Sequence, residues 1–142
     1  MWSNLTENEL AAALNENNAP FAKTLGIRMI AARKDRIEAQ LDVTMDKTTI
    51  PSTLHGGAIM AFADNLGGVG AFLNMPEGCM TSTVESKTNF LRPAPVGEAV
   101  TGIATPIKLG RTLQVWETRI TRADGKLVAI VTQTQIIKPE NG

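Results

Sequence analysis

The chain has 142 residues, enough for one domain with a real core and few for two. Its 14 basic and 14 acidic residues leave no net field to draw it onto nucleic acid or an anionic membrane. A single cysteine, Cys79, excludes an internal disulfide and, with one histidine in the whole chain, reads as a packed thiol rather than a nucleophile. No charged start followed by an apolar run opens the sequence, so the expectation is a cytoplasmic protein in one domain over 1–142.

In chain order, Ser3 or Thr6 is placed to cap a short helix within 3–18 that carries Glu7, Leu10, Ala13 and Leu14 and ends in the run Asn15 to Pro20. The core then runs from about 20 to 138. Ile27 to Ile30 reads as a short strand. Ile37, Ala39, Leu41 and Val43 alternate with Glu38, Gln40, Asp42 and Thr44, which predicts a second strand with one wet face. Between them Arg33, Lys34, Asp35 and Arg36 suit a tight solvated turn, making the pair an antiparallel hairpin.

Residues 55–73, HGGAIMAFADNLGGVGAFL, are apolar on nearly every side and of helical length. Asp64 and Asn65 split the run into pieces too short for a membrane span of about 20 apolar residues, so a buried helix is predicted. Gly67, Gly68 and Gly70 each cost a helix about 1 kcal/mol against alanine, a loss that close approach of a sheet would recover. After the turn Pro76-Glu77-Gly78 come four extended stretches, Thr81 to Leu91, Val100 to Ile107, Thr112 to Thr121 and Leu127 to Ile137. Asp124-Gly125 marks a hairpin between the last two. An antiparallel sheet with one dominant apolar helix is an α+β architecture in which the sheet should curl around the helix.

Asp64 is the chemically informative residue. A carboxylate in the middle of an apolar helix must find partners, take a proton or face a water-filled cleft. It is a candidate general base, against the alternative of an aspartate bonded to a neighbouring backbone or subunit. Gly56 and Gly57 open the helix, where free N–H groups and the positive end of the dipole can polarise a carbonyl oxygen. His55, the only histidine, either orients this loop, bonds a substrate group or simply caps the helix. It rules out a two-histidine metal site, and no G-x-S-x-G elbow, phosphate loop or dinucleotide fingerprint is present. Gly56 and Asp64 lie eight residues apart, about 12 Å along a straight helix, whereas a base acts within about 3 Å of its target. If both serve one reaction, they come from different subunits.

The stretch LHGGAIMAFADNLGG, followed by TVESKTNFLRPAPVGE and the KLGRT turn, resembles hotdog-fold acyl-CoA thioesterases of the phenylacetate-degradation (PaaI-like) branch over about residues 20–138. The resemblance implies a homodimer or homotetramer that hydrolyses acyl-CoA to free acid and coenzyme A, with no cofactor beyond the coenzyme A of the substrate. It further implies that Gly56 donates its N–H to the thioester carbonyl. Asp64 of the other subunit is then general base or nucleophile, and Thr83, or failing it Ser82, positions the attacking water. Some members of the branch carry an asparagine before His-Gly-Gly, and here Thr49 stands near that place. Coenzyme A carries phosphates, and Arg92, Lys108 and Arg111 at strand ends are the expected cationic contacts. Ala58, Met60, Met80, Phe90 and Trp116 are candidates to line the acyl pocket, which leaves aromatic, short and medium-length acyl groups open. Two other functions fit the same fold, a hydratase or dehydratase and a non-catalytic acyl-CoA sensor.

Overall fold

The computed structural model describes residues 2–141. Thr6, not Ser3, caps the first helix, α1 (Glu7–Glu16), in a reciprocal box: its hydroxyl accepts from the Glu9 N–H, and the Glu9 carboxylate accepts from the Thr6 N–H. Those bonds hold the Glu9 carboxyl below its ordinary range, the Thr6 backbone bond contributing most. Pro20, expected to close this region, instead starts a second short helix, α2 (Pro20–Leu25), where its missing N–H is no loss. Gly26 ends α2 in the left-handed conformation at φ 78°.

Strands β1 (Arg28–Arg33) and β2 (Arg36–Asp42) form the expected antiparallel hairpin, β1 running three residues beyond Ile30. A short 3-10 turn, Met45–Lys47, and a two-residue ladder of β3 (Thr48–Thr49) with β4 (Thr53–Leu54) lead into the long helix α3 (Gly56–Asn74). Four strands follow: β5 (Cys79–Phe90), β6 (Ala99–Leu109), β7 (Leu113–Thr121) and β8 (Leu127–Pro139). The β7–β8 hairpin turns through Ala123, Asp124 and Gly125, the Gly125 N–H donating to the Arg122 carbonyl and Gly125 alone of the three taking a positive φ, 83°.

The main sheet is antiparallel in the order β1-β2-β6-β7-β8-β5, and α3 packs across β2, β6, β7, β8 and β5. Ile37, Ala39, Leu41, Val100, Ala104, Ile120, Val128 and Val131 face Phe62, Ala63 and Leu66 in a core without solvent. By length and hydropathy alone α3 could cross a bilayer. In this fold its apolar side is taken up by the sheet, the layout of a hotdog domain. The glycine cost is recovered as expected at two positions: a Cβ on Gly67 would sit 2.3 Å from the Gln133 amide, and one on Gly70 2.6 Å from the Trp116 ring. Gly68 differs, because a Cβ there meets nothing within 4 Å.

Candidate active site

Helix α3 does have a wet face, and Asp64 is on it. The residue is exposed in the single chain and lines an open cleft of about 420 Å³ between α3, β5 and the N-terminal segment. Trp2, Leu14, Val69 and Phe72 supply its apolar wall, the Trp2 and Phe72 rings meeting edge-on at 6.0 Å. Gly68 lies one helical turn beyond Asp64 on the same face, so its missing side chain leaves room beside the acid. Asn18 and Asn65 form an amide pair on the cleft wall.

Strand β5 brings Thr83 to Asp64, with Thr83 Oγ1 2.7 Å from Asp64 Oδ1. Thr81 and Ser82 also border the cleft, but Thr83 is the hydroxyl that bonds the acid. Sequence reasoning missed two further partners. Gln133 and Gln135 on β8 are fully buried behind this pair, Gln135 Oε1 lying 2.5 Å from Thr83 Oγ1 and Gln133 Nε2 3.4 Å from Asp64 Oδ1. The available signal was their period: Thr132, Thr134 and Ile136 alternate with Val131, Gln133, Gln135 and Ile137, which puts both glutamines on the core face.

At the other end of α3, His55 is the N-cap, its Nδ1 accepting the Gly57 N–H at 2.8 Å. The ring hydrogen is therefore on Nε2, in an exposed imidazole. With Gly57 engaged, the Gly56 N–H has no hydrogen-bond partner among the described residues. Gly56 borders a separate open cleft with Leu54, Ile59, Phe90, Leu91, Arg92 and Pro93, the Phe90 ring lying 3.2 Å from where a Gly56 Cβ would be. Asp64 and Gly56 thus face different clefts of one chain.

Of the three expected cations, Arg92 borders the Gly56 cleft and donates to the Leu127 carbonyl at 3.1 Å. Lys108 and Arg111 flank the β6–β7 turn, exposed, lining neither cleft and making no salt bridge among the described residues. The turn lies at the sheet end that carries Thr83, since Leu113 pairs with Ile136 and Ile136 with Ser82. Among the acyl-pocket candidates Phe90 alone borders either of these two clefts. Trp116 is fully buried, its Nε1 donating to Gln114, because the space above Gly70 draws it into the core. Ala58, Met60 and Met80 line neither cleft, and Thr49 is exposed in β3, its carbonyl accepting the Ser52 N–H.

The sequence matches the family model of the thioesterase superfamily over residues 52–129. The 1,4-dihydroxy-2-naphthoyl-CoA hydrolase of Listeria monocytogenes is 32% identical over 117 residues, 82% of this chain and 94% of that protein. A thioesterase of Haemophilus influenzae superposes with a TM-score of 0.83 at 31% identity, covering 96% of this chain and 92% of the other. The PaaI protein of E. coli, from the phenylacetic acid degradation operon, shares the fold with a TM-score of 0.78 at 24% identity, covering 89% of each chain.

Proposed function

The chain belongs to the thioesterase superfamily and is a thioester hydrolase, and from that premise we propose that it cleaves an acyl-CoA in a site shared between two copies of itself. The observation that carries the site is the 2.7 Å contact of Thr83 with Asp64 at the mouth of a cleft with an apolar wall. The acyl group lies along that wall, past Gly68 toward Phe72 and Trp2. The thioester oxygen takes the free Gly56 N–H at the positive end of α3. Asp64 removes a proton from a water held by Thr83, the water oxygen bonds to the carbonyl carbon, the C–S bond breaks, and the proton returns from Asp64 to the coenzyme A thiolate. Coenzyme A enters as part of the substrate, and the step uses no separate cofactor.

Strand β5 supports the shared arrangement. It is a 12-residue edge strand with β8 as its one partner, and Met80, Val84 and Phe90 are exposed along it. Such an edge invites pairing with a second copy. β5 also runs alongside α3, with Thr83 at Asp64 and Phe90 at Gly56. An antiparallel ladder of β5 with its two-fold mate, centred on the Lys87 pair, sets Thr83 of one subunit opposite Phe90 of the other once the irregularity between Thr83 and Glu85 takes up the odd residue. Each such crossing joins the Asp64 cleft of one chain to the Gly56 cleft of its mate.

The test is thiol release from a panel of aromatic, short and medium acyl-CoAs by the wild type and Asp64→Asn. An amide keeps the shape but cannot serve as base or nucleophile, so kcat is expected to fall at least about 100-fold with the fold intact. Undiminished release by the folded variant removes Asp64 from the reaction. Absence of release from every member of the panel by the wild type removes acyl-CoA as the substrate.

A further inference from the structure

Behind Asp64 and Thr83 lie two buried primary amides, Gln133 at 0% exposure and Gln135 at 2%, the latter forming part of the cleft lining. Burying such groups is unfavourable unless donors meet acceptors, and here the matching dictates how each amide is turned. Gln133 Nε2 has two hydrogens: one goes to Gln135 Oε1 at 3.0 Å, the other faces the Asp64 main-chain oxygen and Oδ1, each at 3.4 Å. Turned over, Gln133 would set its oxygen against three acceptors. It keeps the observed orientation even though its own Oε1 has no partner among the described residues. Gly67 makes the placement possible, since a Cβ there would overlap the amide at 2.3 Å. Gln135 is fixed in turn, with Nε2 donating to Thr81 Oγ1 at 3.1 Å and Oε1 receiving Gln133.

Thr83 therefore stands between two acceptors, Asp64 Oδ1 at 2.7 Å and Gln135 Oε1 at 2.5 Å, with one hydroxyl proton to give. We propose that Gln135, held by Gln133, is a positioning residue that lets Thr83 reverse its hydrogen bond with Asp64 during turnover. While Asp64 is a carboxylate, the Thr83 hydroxyl donates to it. Once Asp64 has taken the proton of the attacking water, the hydroxyl swings to Gln135 Oε1, and Thr83 Oγ1 accepts from the new carboxyl O–H. No covalent bond at Thr83 or Gln135 changes, and the proton that changes owner passes from water to Asp64. The inference rests on the reading of Asp64 as general base with Thr83 as its partner.

The experiment is a double-mutant cycle in thiol release at saturating acyl-CoA, with KM measured alongside. Gln135→Met keeps the volume and removes the acceptor, so kcat is expected to fall about tenfold with KM within about twofold. In a Thr83→Val background the same change should cost under about twofold, and in Thr83→Ser, which keeps the hydroxyl, about the full tenfold again. Unchanged kcat in folded Gln135→Met overturns the inference, as does a full tenfold loss beside Thr83→Val, which would mark a packing defect. Should Gln135→Met fail to fold, Gln135→Asn draws the amide back by one methylene and enters the same cycle with the same expectations. An inactive Asp64→Asn beside a silent Gln135→Met defeats the inference alone, whereas an active Asp64→Asn defeats both it and the assignment of Asp64.

Discussion

At the start of α3 the His55 imidazole shows how one side chain decides what its neighbours can do. By capping Gly57 it consumes one of the orphan N–H groups and leaves that of Gly56 unengaged. The cations divide in the same residue-by-residue way. Arg92 is partly committed to the Leu127 carbonyl, whereas Lys108 and Arg111 at the β6–β7 turn make no ion pair among the described residues. They lie at the sheet end of Thr83, where the proposed crossing brings in the mate's Gly56 cleft. Removing either charge is expected to raise KM for an acyl-CoA about three- to tenfold while leaving KM for the matching acyl-pantetheine unchanged, because only the full substrate carries nucleotide phosphates. Equal effects on both substrates would place these residues away from the phosphates.

On the scale of elements, α3 is a helix whose two sides obey different rules. Its sheet side is packed so closely that Gly67 and Gly70 have no room for a methyl group, while Gly68 looks into open space. Alanine improves a helix interior by about 1 kcal/mol over glycine. Gly68→Ala is therefore expected to raise the melting temperature by about 3–5 °C. Gly70→Ala gains the same propensity but drives a Cβ to within 2.6 Å of the fully buried Trp116 ring. Overpacking of that kind costs about 1–3 kcal/mol, so the melting temperature should fall. Thermal melts followed by circular dichroism read both, and a stabilising Gly70→Ala would show that sheet and helix are less tightly joined than this geometry requires.

Across the whole molecule the decisive fact is that the two ends of the proposed chemistry open into separate clefts of one chain. On the proposed reading each complete site would take Asp64 and Thr83 from one subunit and Gly56 from the other, which would make a dimer the smallest active unit. Two inactive variants, Asp64→Asn and a bulky residue at Gly56, test this when their subunits are exchanged by mild denaturation. A hybrid dimer has one site with both lesions and one with neither. Random exchange makes about half the dimers hybrid, so activity should return to about a quarter of wild type. Were both residues used within one chain, every hybrid site would still carry a lesion. No recovery, with hybrids confirmed by native mass measurement, would leave the shared site without support.

By itself the sequence determined the order of the two longer helices and the six strands of the main sheet, though not α2 or the short β3–β4 ladder, because that order is written in local periods: alternation in Ile37 to Val43, an apolar run of helical length after His55, and Asp-Gly at the last hairpin. It also singled out Asp64, since a carboxylate within so apolar a run is conspicuous without any contact being known. Pro20 suits a stop and a start alike, because proline ends one helix and begins another with equal ease, and in the fold it starts α2. Trp116 could not be assigned between pocket and core from its own strand, since the space it fills is made by Gly70, 46 residues away. Gln133 and Gln135 were legible as residues on one face of a strand, but not as partners of Asp64. That pairing exists because β8 carries them under α3 while β5, its neighbour in the sheet though not in the chain, delivers Thr83 from the other side. Local patterns fix what each segment becomes, and only the closing of the sheet around the helix fixes which polar atoms meet there.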